Sequence, residues 1–167
     1  MDRCGVYSFP SGCGGSNGSP TNAAPPPPFD PTPLTGTYSG TWHNTTFNTS
    51  GTSMMVVTAD TAAHTMTIVV TLGGNVFGGN APPPQTLTGP YTASGLNINQ
   101  TSQVFGNLSV TIDSSGNVNG QGTNVPGGRV SSVSFSGQFL PKSMNVGYKA
   151  NLVGGGSATG TMVATKP

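Results

Sequence analysis

Glycine lies two positions before an aromatic or large apolar residue at five places in this chain: Gly36 before Tyr38, Gly40 before Trp42, Gly89 before Tyr91, Gly137 before Phe139 and Gly160 before Met162. Residues two apart face the same side of a β-strand, so each pair sets a missing side chain beside a bulky one. A glycine inside a strand marks a tight bend or the close approach of another backbone. Its recurrence predicts a strongly coiled sheet that closes into a barrel.

Alternating apolar and polar residues continue from Leu34 almost to the end of the chain, as in 65–72 (TMTIVVTL). This period of two is typical of antiparallel strands with one polar face. Turn sequences such as 113–116 (DSSG) and 154–156 (GGG) separate the segments. We therefore predict an all-β domain over 34–167, an up-and-down meander barrel of about 8–10 strands. A β-sandwich is the alternative.

The composition changes near residue 33. Residues 1–33 contain a Gly/Ser stretch, the proline run 25–28 and both cysteines, Cys4 and Cys13. A polar Gly/Pro sequence buries too little apolar surface to offset the entropy lost on ordering. We expect residues 1–33 to form a disordered or extended arm, or a tether, in front of the barrel.

Cys13 lies in the sequence SGCGGS (11–16), ahead of the proline-rich stretch. This segment resembles the lipidation site and tether of bacterial lipoproteins, in which a small residue precedes the acylated cysteine. The resemblance implies a lipid anchor at Cys13 and a place on the bacterial surface, such as the outer membrane. The alternatives are a disulfide between Cys4 and Cys13, or two unpaired thiols.

Only 5% of the residues are charged, and the formal net charge is +1. A near-neutral chain offers no basic surface for nucleic acid, and it has no apolar run long enough for a transmembrane helix. A surface rich in hydroxyl groups and poor in charge favours association. We predict a secreted or cell-surface protein whose contact with a membrane is limited to the lipid anchor.

Few residues of the predicted domain are suited to catalysis. Asp60 and Asp113 lie in turn sequences, and the two histidines, His43 and His64, have no third ligand at metal-site spacing. Acid–base and nucleophilic catalysis need titratable groups in hydrogen-bond reach of one another. We predict neither an enzyme nor a metal or cofactor site.

Several strand sequences are similar to those of avidin-like barrels: 34–38 (LTGTY), 40–42 (GTW), 87–91 (LTGPY) and 136–139 (SGQF). The segment 40–42 also matches the G-x-W motif of lipocalins. The resemblance covers about residues 34–165 and implies a calycin-type meander barrel. Such barrels typically bind one small, largely apolar ligand in the cup.

The candidate ligand-binding residues are aromatic, and one of them lies in the long glycine-rich connection 73–84: Tyr38, Trp42, Phe77, Tyr91, Phe139 and Tyr148. In the competing interpretation, the inward glycines only relieve crowding and the aromatic side chains fill the core. The predicted function is binding of a small apolar ligand inside the barrel. The alternative is a self-assembling subunit of an extracellular coat or filament, whose arm lies along a neighbouring copy.

Overall fold

The computed structural model describes residues 27–76 and 79–167, and ten antiparallel strands form one closed barrel there. The strands are β1 (Gly36–Asn44), β2 (Thr49–Asp60), β3 (Thr65–Leu72), β4 (Gln85–Thr92), β5 (Gly95–Ser102), β6 (Gly106–Asp113), β7 (Asn117–Thr123), β8 (Val130–Leu140), β9 (Ser143–Leu152) and β10 (Ser157–Thr165). Each strand pairs with the next in the chain, and β1 pairs with β10. The predicted up-and-down barrel is confirmed, and the sandwich alternative is wrong.

The alternating sequence determines which side chains are inside. In β6, Leu108, Val110 and Ile112 are buried, whereas the residues between them face solvent or are only half-buried. Side chains from β1 to β10 join in one main core cluster, because each strand contributes its apolar face to the interior.

The up-and-down course gives the barrel two ends. At one end, which we call the floor, lie the turns after β2, β4, β6 and β8. At the other end, the mouth, lie the connections after β1, β3, β5, β7 and β9. The long connection 73–84 therefore belongs to the mouth.

The chain segment before β1 closes the floor. It contains a 3-10 helix (Thr32–Leu34) and buries Phe29 and Leu34 in the main core cluster. The Phe29 N–H donates to the Ala93 carbonyl at 2.8 Å, and its ring lies 6.0 Å from that of Tyr91. The described part of the predicted arm thus packs on the barrel, because the side chains of Phe29 and Leu34 contact the main core cluster.

Lys166 fastens this segment to the end of β10. Its ammonium donates to the carbonyls of Pro33 at 2.7 Å and Thr35 at 2.8 Å, and lies 5.4 Å from the centre of the Tyr38 ring. The Tyr38 hydroxyl donates to the Leu34 carbonyl at 3.1 Å. Burial raises the pKa of Tyr38. Both chain ends of the barrel are therefore held together at the floor.

The inward glycines allow neighbouring strands to approach closely. A Cβ atom at Gly40 would lie 2.6 Å from the Ala164 Cα, and one at Gly137 would lie 2.8 Å from the Val146 Cα. Both distances are shorter than any side chain tolerates. These two glycines therefore serve close packing of backbones and do not open space for a ligand.

Elsewhere an aromatic ring from the adjacent strand covers the glycine. The Phe135 ring lies over Gly120, and the Tyr148 side chain lies over Gly160. Each ring is directly opposite its glycine in the register of the sheet.

Among the described residues there is no helix long and apolar enough to cross a membrane.

Candidate ligand-binding cavity

A cavity of about 710 Å³ lies inside the barrel, and side chains of the core and of the mouth line it. Its deeper wall is made of inward-facing aliphatic and methionine side chains, among them Met55, Ile68, Val110, Val118, Met144 and Val146. Alternation in every strand directs these side chains inward, and the closed floor prevents the cavity from becoming a channel.

The cavity extends along most of the length of β8. Val130 and Phe139, near the two ends of β8, both line it. Nine residue steps along a strand span about 30 Å. With the strand tilt usual in barrels, this corresponds to roughly 20–25 Å along the axis. The space suits an elongated or flat molecule.

Most polar side chains of the lining belong to the mouth half: Asn44, Thr49, Asn75, Arg129 and Tyr148. The side-chain oxygen Oδ1 of Asn44 accepts from the N–H groups of Thr46 and Phe47, each at 3.0 Å, and so holds the β1–β2 turn. Burial raises the pKa of Tyr148, and a hydrogen bond with the Asn44 side chain partly opposes this. A ligand in the cavity would meet polar groups chiefly near the opening.

Three of the six aromatic candidates line the cavity, namely Trp42, Phe139 and Tyr148. Trp42 uses its only polar atom elsewhere, since its indole N–H donates to the Gly73 carbonyl at 2.8 Å. Its ring therefore presents only apolar surface to a ligand.

Two further candidates, Tyr38 and Tyr91, lie in the floor. The Tyr38 ring packs against Phe139 with centroids 4.9 Å apart, and the Tyr91 ring packs edge-on against His64 at 5.6 Å. Phe77 lies outside the described residues, as do Cys4 and Cys13. The structure thus divides the candidates between a cavity wall and a floor.

Other residues that line the cavity could not be identified from the sequence pattern. Phe47 and Val153 lie in the turns after β1 and β9 and reach the cavity from its rim. Phe105 lies in the turn after β5 and also packs on a second cluster, formed by Val125, Val130, Val133 and Ala150. Turn residues carry no alternation, so only the barrel closure reveals that these side chains meet.

Within residues 27–76 and 79–167, no group of three or more His, Cys, Asp or Glu side chains is placed to hold a metal ion. Asp60 accepts from the N–H groups of Ala62 and Ala63, both at 2.9 Å, as expected of a turn former.

A scan against protein-family models finds no match to the chain, and a search of curated proteins finds no relative.

Proposed function

We propose that this protein binds one small, largely apolar molecule inside the barrel. The observation that carries the proposal is the cavity of about 710 Å³, which is closed at the floor, open at the mouth and lined mainly by apolar side chains. This volume lies within the range of small-molecule sites.

A space of this size would be too costly to leave empty. Unfilled apolar volume is destabilising, and this cavity is open to solvent at the mouth. Water or a ligand must fill it. Ordered water needs two to four polar partners, and the deep wall offers few side-chain donors or acceptors.

The lining favours a ligand with an apolar body and a polar group near the opening. Met55, Met144 and Met162 line the cavity, and thioether side chains adapt readily to different shapes. The aromatic faces of Trp42 and Phe139 suit either a chain or a ring system.

Two measurements test the proposal. Solvent extraction of the purified protein followed by mass spectrometry should release a bound apolar compound. After delipidation, the neutral fluorescent probe N-phenyl-1-naphthylamine should bind saturably with one site per barrel. Ala158→Phe places a ring in the cavity wall, and we expect it to weaken probe binding at least about tenfold.

Thr161→Phe is the matched control, because Thr161 is exposed and faces outward on the same strand, β10. It should leave probe binding unchanged. Absence of saturable binding by the wild-type protein, or equal losses in the two variants, would contradict the proposed function.

The outer wall favours self-association as a second candidate function. Met54 and Val163 are 42% and 45% exposed on the outward face of β2 and β10. The half-buried Val56 and Val69 pair directly beside Met54. Light scattering over a range of concentrations would detect oligomers, and a monomer at millimolar concentration would argue against this candidate.

The proposed location is outside the cell or on its surface. The low charge and hydroxyl-rich outward faces support it, as does the lipoprotein-like sequence around Cys13. Labelling of whole cells with a membrane-impermeant reagent would test the location, and mass analysis of the peptide containing Cys13 would test the lipid anchor.

A further inference from the structure

A row of directly paired residues crosses β8, β9, β10, β1 and β2 in turn: Phe135, Tyr148, Gly160, Asn44 and Thr49. Directly paired residues face the same side of a sheet, and the four members other than Gly160 line the cavity. Because Gly160 has no side chain, the Tyr148 side chain lies over it, and a Cβ atom there would collide with the Tyr148 hydroxyl. The glycine therefore lets a tyrosine from β9 reach across β10 toward Asn44 on β1.

The turn after β1 fixes which atom Asn44 presents to Tyr148. The Asn44 Oδ1 accepts from the N–H groups of Thr46 and Phe47, and these two bonds use both of its lone pairs. The Asn44 Nδ2 is therefore the atom left to bond with the Tyr148 hydroxyl. Burial raises the pKa of Tyr148 and the bond with Asn44 opposes this rise, which is the effect of a bond donated to the phenolic oxygen. Asn44 thus donates and Tyr148 accepts.

This arrangement leaves the phenolic proton of Tyr148 for a ligand. Within 27–76 and 79–167, the hydrogen bond of the Tyr148 hydroxyl is the one from Asn44, and no side chain or carbonyl there accepts its proton. A phenol ordinarily loses its proton only near pH 10, so the hydroxyl is a donor at neutral pH. A donor in a largely apolar wall gains most from an acceptor that the ligand supplies.

The chemistry of the row favours an uncharged acceptor. Its polar members, Asn44, Thr49 and Tyr148, carry no charge at neutral pH, and Arg129 precedes β8 whereas Phe135 lies near the middle of that strand. An ionised group beside Tyr148 would lose hydration without gaining a counter-charge from the row. A ligand hydroxyl would bring a proton of its own, for which the occupied Asn44 Oδ1 is no acceptor. A carbonyl oxygen has neither disadvantage.

We propose that Tyr148 donates its hydroxyl proton to a carbonyl oxygen of the apolar ligand, so that the cavity selects ketones, aldehydes or esters over hydrocarbons. This inference rests on the proposed ligand-binding function and specifies the class of ligand. The apolar body of the ligand lies against the aliphatic and methionine side chains, and its carbonyl group lies at the row. Tyr148 is then a specificity-determining residue, and Asn44 is a positioning residue that keeps the phenolic proton directed to the ligand.

Displacement of N-phenyl-1-naphthylamine from the full chain by 2-decanone and by decane tests the inference. The two competitors have chains of equal length and differ in the carbonyl group. Tyr148→Phe should weaken binding of 2-decanone about fivefold, the usual effect of one hydrogen bond, and leave binding of decane unchanged. Tyr91→Phe is the matched control, because it removes the same hydroxyl from a tyrosine in the floor. It should change the binding of neither competitor.

Asn44→Asp tests the positioning role while the Tyr148 hydroxyl stays in place. One carboxylate oxygen can still accept from Thr46 and Phe47, and the other replaces the Nδ2 donor with an acceptor for the phenolic proton. Binding of 2-decanone should fall about fivefold, as in Tyr148→Phe, and binding of decane should be unchanged. Circular dichroism verifies that each variant is folded.

Infrared spectroscopy of bound 2-decanone gives a second readout. The carbonyl stretching frequency should be lower in the wild type than in Tyr148→Phe, because a hydrogen bond weakens the C=O bond. Equal affinity of the wild type and Tyr148→Phe for 2-decanone, or an equal loss for decane, would overturn this inference, although saturable probe binding would still support the proposed function. Absence of probe binding by the wild type would contradict both.

Discussion

Trp42 donates its indole N–H to the carbonyl of Gly73 at 2.8 Å and thereby joins β1 to the beginning of the long connection at the mouth. Gly51 makes this contact possible, since a Cβ atom there would lie 2.6 Å from the Trp42 Nε1. The Gly73 N–H donates to the Thr52 carbonyl at 2.9 Å. The single tryptophan thus shapes the cavity entrance as well as its wall.

Replacement of Trp42 by phenylalanine should loosen this connection. Trp42→Phe keeps an aromatic ring but removes the N–H, which leaves the Gly73 carbonyl without that donor. We expect a loss of about 1 kcal/mol in the free energy of unfolding and faster amide hydrogen exchange in the first residues of the connection. Urea denaturation and hydrogen-exchange mass spectrometry measure the two effects. Tyr148→Phe, at another cavity residue, should leave the exchange there unchanged; equal acceleration in both variants would contradict this role.

Lys166→Met should destabilise the floor. It retains the apolar stem but removes the donor to the Pro33 and Thr35 carbonyls and the cation over the Tyr38 ring. Because Lys166 is half-exposed, we expect a cost of about 1–2 kcal/mol, below the full value of charged hydrogen bonds. Lys142→Met is the control, since the exposed Lys142 lies at the same end. Similar urea midpoints for the two variants would refute the fastening role of Lys166.

The strands and turns could be predicted from the sequence because their causes are local. Alternation directs a side chain inward wherever the chain is extended, as with Ile68 and Val110. The turn at 113–116 is held by hydrogen bonds within the segment itself, from the N–H groups of Ser115 and Gly116 to Asp113.

The division between cavity and floor could not be predicted, because it depends on how the strands are staggered around the barrel. Tyr38 and Trp42 share one face of β1, yet one lies in the floor and the other lines the cavity. Phe29 packs on the floor although its flanking sequence is typical of a disordered arm. The division between cavity and floor and the packing of Phe29 both depend on tertiary contacts, which the local sequence pattern does not contain.

The role of Gln100 between β4 and β5 also could not be predicted from the sequence. β4 and β5 pair only at Tyr91–Leu96 and Thr92–Gly95, and beyond these pairs the Gln100 amide bridges the two strands. It accepts from the Thr88 N–H at 3.0 Å and donates to the Thr86 carbonyl at 2.8 Å. A side chain thus substitutes for backbone pairing, which no periodicity in the sequence indicates.

Gln100→Leu should therefore separate β4 from β5. The Thr88 N–H and the Thr86 carbonyl both lose their side-chain partner in this variant. Because both groups are exposed and water can replace the amide, we expect the free energy of unfolding to fall by about 1 kcal/mol. Gln100→Glu keeps the acceptor for Thr88 but loses the donor to Thr86, so its loss should be smaller. Urea denaturation gives both values. Equal losses in the free energy of unfolding for Gln100→Leu and Gln100→Glu would show that the Gln100 amide does not join the two strands.

Ser53→Ala should stabilise the protein. The Ser53 side chain is 2% exposed, and its hydroxyl is the buried side-chain oxygen without a hydrogen-bond partner in the described part of the chain. Removing an unsatisfied hydroxyl from the interior is neutral or favourable, by up to about 1 kcal/mol. Differential scanning calorimetry should show a higher Tm. A fall in Tm of several degrees would show that the hydroxyl does have a partner in solution.

Asp113 should make stability depend on pH below neutrality. Its carboxylate accepts from the Asn117 side chain at 2.8 Å, the Asn117 N–H at 2.9 Å and the Ser115 N–H at 2.8 Å, and these bonds, led by the one from the Asn117 side chain, lower the pKa of Asp113. A lowered folded-state pKa gives stability that is fully present above the unfolded value, about pH 4, and is lost as the pH falls through the folded value.

Asp113→Ala should thus cost at most about 1 kcal/mol at pH 7, because the carboxylate is exposed and solvent screens it. The difference from the wild type should shrink in urea titrations as the pH falls below about 4 and through the lowered pKa of the folded wild-type carboxylate. Asn117→Ala removes the largest cause of the lowered pKa of Asp113. The free energy of unfolding of this variant should therefore depend less on pH than that of the wild type. A difference between Asp113→Ala and the wild type that stays constant down to pH 2 would mean that the turn gains its stability from chain geometry and not from the charge of this carboxylate.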